Sequence, residues 1–385
     1  MELSPREALI TLNLIPGLGS VRIQALLDFF GSAELVLAAP LQLLEQAPRI
    51  GPRLARAIAA WQDCTNVHAE LACADDYGVR VVTLLDEDYP PALRHMSDPP
   101  IVLYTKGEWL PTDGDKSVGI VGTRAATPYG MTTARRLGRE LADAGCTIIS
   151  GLARGIDTAA HWGALDAGGR TIAVLGYGMA GIFPQDNAEL AERICNGHGA
   201  IVSEFPMTLR PSRTTFPQRN RIVAAWSRAV VVAEAPNHSG ALHTATLAAE
   251  SYGNTVFAIP GPIDRPSSVG CHALIRDGAI LCTSAQELMA DMRWTGSPRQ
   301  LELFSRDSSP QHTDTPPPPQ VPGDCPERAA ILAAIAAGHN TLDALCCALG
   351  LGAMALTPQL MRLQIERAIL PLPGGRYECS PTHNR

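Results

Sequence analysis

The sequence predicts an α/β protein: a doubly wound parallel sheet of extended Rossmann type, flanked by an N-terminal helical domain and a C-terminal winged helix. Three observations predict it. From Lys116 to Ile259, short runs that are apolar throughout alternate with helical stretches, the pattern of strands buried on both faces between crossover helices. Residues 1–73 read as short helices only. A proline-rich stretch then separates a last piece of helices followed by a glycine hairpin.

Residues 1–74 form the expected helical domain, with helices over Arg6–Leu14, Ser20–Phe29, Pro40–Gln46 and Pro52–Gln62. The turns Pro16-Gly17-Leu18-Gly19 and Arg49-Ile50-Gly51-Pro52 interrupt them, a helix-hairpin-helix pattern. Its turn amides can meet a phosphate at a helix start, and a plain packing module needs the same glycines. Residues 75–295 form the expected Rossmann-like domain. Strands are predicted over Ser117–Val121, Thr147–Ile149, Thr171–Leu175, Ala200–Ser203, Ala229–Ala233 and Val256–Ile259. Helices are predicted over Met131–Ala144, Thr158–Ala167, Ala188–Asn196, Asn220–Trp226 and Leu242–Tyr252. Residues 296–325, with Pro316 to Pro319 at their centre, read as an extended linker. Residues 326–381 fit a winged helix, with helices over Pro326–Ala337, Leu342–Leu349 and Thr357–Ala368 and a hairpin turning at Gly374-Gly375.

Composition narrows the function. No apolar run approaches the about 20 residues that span a bilayer, and the first residues lack the basic-then-apolar layout of a signal peptide. A cytoplasmic protein without a membrane partner is expected. None of the ten cysteines forms a C-x-x-C pair, so reduced, mostly buried thiols are expected rather than zinc or disulfides. The net charge of −7 argues mildly against nucleic acid, but it is unevenly spread. From Phe205 to Ala233 there is no acidic residue, while Arg210, Arg213, Arg219, Arg221 and Arg228 are all basic. A local cationic face on an acidic chain is what steers a polyanion.

Ligands of open α/β sheets bind beyond the carboxyl ends of the strands. The loops expected there are rich in glycine and small hydroxyl residues: Gly122-Thr123-Arg124, Ser150-Gly151-Leu152-Ala153-Arg154-Gly155, Gly176-Tyr177-Gly178, and Ser239-Gly240 after Glu234. Such loops let backbone amides approach a phosphate. A dinucleotide enzyme is not supported, because Gly119-Ile120-Val121-Gly122-Thr123-Arg124 is not G-x-G-x-x-G. Walker A, G-x-S-x-G and H-E-x-x-H are absent, and no cofactor or metal is implied. Asp157, His161, Asp186 and Glu204 read better as helix caps and satisfied polar groups than as an acid–base set.

The segment from Arg213 to Val223 says more. It sets Phe216 among Arg213, Arg219 and Arg221, with Asn220 beside them, just before a helix. An aromatic face that stacks a base, flanked by cations for the phosphates, is how single strands are held. Phe216 is expected in an exposed loop.

These residues resemble a known family. Val121-Gly122-Thr123-Arg124, Ser150-Gly151-Leu152-Ala153-Arg154-Gly155-Ile156-Asp157, Phe216-Pro217-Gln218-Arg219-Asn220-Arg221-Ile222, Ser239-Gly240-Ala241-Leu242 and Pro260-Gly261 before Gly270-Cys271 look like the bacterial DNA-processing protein A family (DprA/Smf). The resemblance implies a non-enzymatic homodimer that binds single-stranded DNA, protects it and loads the RecA recombinase during natural transformation. It places the phosphate-gripping arginine at Arg124, the basic residue before the aromatic at Arg213, and the base-contacting aromatic at Phe216. With them, Gly122, Thr123, Arg219, Asn220, Arg221, Ser239 and Gly240 complete the candidate DNA-binding set. The chain departs from the family pattern at Arg213, where lysine is common, and at Gly178 to Gly181, His243 and His272. The rival reading is a phosphoribohydrolase-like nucleotide hydrolase with Glu234 or Asp157 as acid. Its G-G-x-G-T loop with a following glutamate is broken here, because Ser239-Gly240-Ala241-Leu242-His243-Thr244 reaches Glu250 only later.

Overall fold

The computed structural model describes residues 3–294, 326–365, 368–372 and 376–379. They fall into two compact units, Met1–Glu302 and Leu303–Arg385. The expected linker and the Gly374-Gly375 turn lie outside the described residues.

The first unit is built on nine strands: β1 (Arg80–Thr83), β2 (Val102–Gly107), β3 (Ser117–Gly122), β4 (Thr147–Ser150), β5 (Thr171–Leu175), β6 (Gly199–Ser203), β7 (Ala229–Glu234), β8 (Thr255–Ala258) and β9 (Ile280–Leu281). Their spatial order is β1-β2-β6-β5-β4-β3-β7-β8-β9. β3 to β9 run parallel, whereas β2 pairs antiparallel with both β1 and β6. The doubly wound expectation therefore holds, with an antiparallel margin added.

The inner strands are buried along their length, as their apolar sequence requires. Alternate residues feed opposite layers. Val118, Ile120 and Val231 pack under the helices Pro128–Asp143 and Ile156–Asp166. Val121, Val230 and Val232 pack under Thr215–Trp226 and Gly240–Thr246. Some helices begin earlier than periodicity suggests, the one after β3 because a cap and a proline extend it. Thr127 caps Pro128–Asp143 through the Gly130 amide, and Pro128 costs nothing at the first position.

The N-terminal segment does not form a core of its own. Ala8, Ile10, Leu12, Ile23, Leu26 and Ile58 share one buried cluster with Tyr104, Leu175, Ile201 and Met207 of the sheet and its loops. The expected boundary at residue 74 therefore cuts through a shared core. The sequence pattern shows which helix faces are apolar but not what covers them. Helices Ala33–Ala38 and Val67–Asp76, absent from the sequence reading, complete this layer. The two glycine turns are near copies. Gly17 and Arg49 both have positive φ (83° and 64°), Leu18 and Ile50 are both buried, and Gly19 and Gly51 both start helices with extended dihedrals.

The second unit has helices Pro326–Ala336, Leu342–Leu349 and Ala353–Ile365 and an antiparallel pair, β10 (Ile369–Leu372) with β11 (Arg376–Cys379). Ile331, Leu345, Leu356, Leu360 and Ile369 form its core. The third helix begins at Ala353 rather than Thr357 and carries Pro358 inside it. Among the described residues no helix is long and apolar enough to cross a membrane. Cys64, Cys73, Cys146, Cys195, Cys271, Cys282, Cys346 and Cys347 are free, but of these only Cys146, Cys271 and Cys282 are buried, fewer than expected.

Candidate nucleic-acid interface

β3 and β7 lie side by side, yet the helix after β3 leaves to one face and the helix after β7 to the other. At this topological switch point, where open α/β sheets take ligands, a cleft of about 420 Å³ opens. Every candidate residue except Arg221 lines it: Gly122, Thr123 and Arg124 after β3, Arg213, Phe216, Arg219 and Asn220 across from them, and Ser239 and Gly240 after β7.

Arg124 is exposed, and its guanidinium carbon sits 4.5 Å from the centroid of the Phe216 ring. That is cation–π distance, within about 6 Å. On its inner side the mostly buried ring rests against Gly176, where a Cβ would come within 2.9 Å of Cδ1. Phe216 lies in the first turn of Thr215–Trp226 rather than in a loop before a helix. Pro217 is tolerated there because first-turn amides have no intrahelical acceptor to lose. Ser212 and Thr215 fix this start through reciprocal amide-to-hydroxyl hydrogen bonds, both of 3.2 Å. Arg213 is exposed, and no ion pair among the described residues engages it or Arg124.

Arg219 forms the floor. It is 4% exposed, donates to the Val174 carbonyl, and leaves Nε without a partner. Its guanidinium packs on the Gly151 backbone, so a side chain at that position would have to displace it. Burial lowers the pKa of Arg219, against the opposing pull of Asp157. Burial raises that of Asp157, against the charge of Arg219 and the amides that hold it, including Gly151 N–H at 3.1 Å. Asp157, Gly151 and Thr244 also line the cleft. The sequence reading left them out of its set because, without a contact map, they pass as ordinary turn and cap residues. Asn220 donates to the Gly240 carbonyl at 3.3 Å, tying the two walls together.

Arg221 faces away from the cleft and must be withdrawn from the candidate set. Its Nε lies 3.2 Å from Asp98, its Nη1 donates to the Asp98 carbonyl at 2.8 Å, and its Nη2 meets Glu204 and the Ser20 hydroxyl. Two residues along a helix turn a side chain by about 200°, so Arg219 and Arg221 cannot serve one surface.

The remaining titratable groups are separately engaged. Glu234 accepts from the Thr127 amide at 2.9 Å and the Thr127 hydroxyl at 3.2 Å, so the first βα helix start is capped by the chain's own carboxylate. The Thr171 hydroxyl donates to Ile148 O and therefore accepts from His161 Nδ1 at 2.7 Å. Nδ1 therefore carries a proton, and burial, reinforced by the Arg219 charge, brings the pKa of His161 down to about 3. Asp186 pairs with Arg154 at the surface. No group of three or more metal-ligating side chains occurs among the described residues.

A doubly wound sheet with an arginine-lined cleft at its switch point defines a Rossmann-type α/β protein with a cationic ligand edge. The family profile described as DNA recombination-mediator protein A matches residues 80–293, and the DprA winged helix domain matches residues 315–375. The chain belongs to this DprA/Smf family. It is 33% identical to Protein Smf of Synechocystis, covering 94% of this chain and 96% of that one. It is 39% identical to Protein Smf of Escherichia coli, covering 80% of each. The X-ray structure of DNA processing protein A from Streptococcus pneumoniae superposes with a TM-score of 0.64 at 33% identity, covering 76% of this chain and 99% of that one.

Proposed function

We propose that this chain is a single-stranded DNA-binding mediator that shields incoming DNA and loads the RecA recombinase onto it during natural transformation. In this reading it acts as a cytoplasmic homodimer, binds without catalysing, and uses Gly122, Thr123, Arg124, Arg213, Phe216, Arg219, Asn220, Ser239 and Gly240 as its site. The observation that carries the reading is the Arg124 guanidinium over Phe216, with exposed Arg213 beside it. A polyanion whose bases are unpaired can use both halves of such a site, and a duplex only the cationic half. Membership in a family described by recombination mediation supports the partner. The hydrolase alternative has less behind it, because Glu234 is committed to Thr127 and Asp157 to Gly151.

The test is titration of the full chain with single-stranded and blunt duplex oligonucleotides, followed by RecA filament nucleation on a protected strand. Tighter single-strand binding and faster nucleation are expected. A duplex preference, or hydrolysis of nucleoside monophosphates, sinks the reading.

A further inference from the structure

The same sheet edge carries a second surface that the cleft leaves unused. β8 lies two strands from β3, so its carboxyl end stands about 10 Å from that of β3. There the chain runs Pro260-Gly261-Pro262-Ile263-Asp264-Arg265-Pro266. The prolines fix φ, and hydrogen bonds hold the loop in place. The Tyr129 hydroxyl donates to Pro260 O at 2.7 Å, and His272 Nε2 lies 3.0 Å from Gly261 O. The Arg265 and Ser268 amides close successive turns at 3.2 and 3.0 Å. Yet the loop leaves Ile263 92% exposed, with Asp264 and Arg265 also in water. Tyr129, at the start of Pro128–Asp143, is 47% exposed. With its hydroxyl tied to the backbone, its ring is a fixed platform with an open side.

We propose that a single strand leaving the Arg124–Phe216 cleft continues across this ledge, a base stacking on Tyr129, Ile263 pressing on its neighbour and Arg265 meeting the backbone. The proposal rests on the cleft being a single-strand site. A stacked strand advances about 3.4 Å per nucleotide, which puts the ledge about three nucleotides from the cleft. Stacking on an aromatic serves any base, and apolar side chains wedge between bases elsewhere in nucleic-acid recognition. Nucleic acid fits better than a protein partner because the ledge continues the cationic edge and offers its own arginine. Asp264 is the one opposing charge on the loop, and Glu234 nearby is already bound to Thr127.

Fluorescence anisotropy of the full chain with deoxythymidine strands of about 4 and about 16 nucleotides tests this. Tyr129→Leu, Ile263→Ala and Arg265→Ala should leave the short strand within about twofold and weaken the long one about fivefold or more. Arg124→Ala should weaken both. Ledge variants that change neither strand, or both equally, overturn the ledge while the cleft stands. An Arg124→Ala variant that changes neither strand overturns the cleft, and the ledge with it. If Ile263→Asp alters the association state but not long-strand affinity, the loop is a protein contact and the proposal fails. Should Tyr129→Leu not fold, the two exposed loop variants carry the test.

Discussion

Replacing Phe216 separates stacking from packing, and the structure sets the magnitudes. A fully buried phenylalanine cut to alanine costs about 3–5 kcal/mol. Phe216 is mostly but not fully buried against Gly176 and the helical-layer core, so somewhat less than that, about 2–4 kcal/mol, is at stake in a cut to alanine. Leucine fills most of the volume, and Phe216→Leu should cost no more than about 1 kcal/mol of stability. It removes the aromatic face, however. Base stacking contributes about 1–3 kcal/mol, and the ring's hold on Arg124 adds about 0.5–1 kcal/mol. Single-strand affinity should therefore fall about 10- to 900-fold while the urea midpoint barely moves. Because the ring positions the guanidinium at 4.5 Å, Arg124→Ala and Phe216→Leu should be coupled, the double variant losing less than the sum. Oligonucleotide titrations and urea melts on the four proteins of the cycle decide it. A Leu variant that is destabilised by about 3 kcal/mol yet binds normally would refute the stacking role. Strict additivity would refute the coupling.

Other expectations follow from the same geometry. Single-strand affinity should fall steeply with salt, and Arg124→Ala or Arg213→Ala should each flatten the log–log slope by about 0.7; unchanged slopes would remove these arginines from the phosphates. Arg221→Met strands Glu204 and Asp98 beside an apolar side chain, so it should destabilise by about 3–5 kcal/mol in urea while leaving the salt slope of the folded fraction intact; a flatter slope would return Arg221 to the DNA. His161, ordinary at 6.5 when unfolded and about 3 when folded, contributes stability that is complete above pH 6.5 and lost as pH falls towards 3, by up to about 1.4 kcal/mol per pH unit. His161→Asn should flatten the acid limb of stability against pH, and an unchanged limb would assign it to other groups.

The central strands were legible because burial on both faces leaves them no polar positions; Val230-Val231-Val232 can hardly be anything else. β1, β2 and β9 were not read as strands. They lie at the margins of the sheet and carry exposed residues such as Arg80, Lys106 and Ile280, and β9 has only two residues. The cleft was largely legible because its residues cluster in loops that topology must bring to one edge. Direction around a helix was not: Arg219 and Arg221 look alike in sequence, and only the packed helix shows one under the cleft and the other held by Asp98 and Glu204. The helical layer's dependence on the sheet was equally hidden, since amphipathic periodicity names a buried face but never its partner.

That dependence makes the two ends of the chain unequal as raw material for variation. A fragment beginning after residue 74 would uncover Tyr104, Leu175 and Ile201, which the first helices now cover. It would be a damaged version of the protein rather than a smaller one, and expression trials or deletions in nature that start there should yield aggregates. The C-terminal piece, with Ile331, Leu345, Leu360 and Ile369 closing a core of its own, carries no such debt. Residues 326–379 are therefore the piece expected to keep a packed interior when made alone, and the amino-terminal helices are the piece that is not.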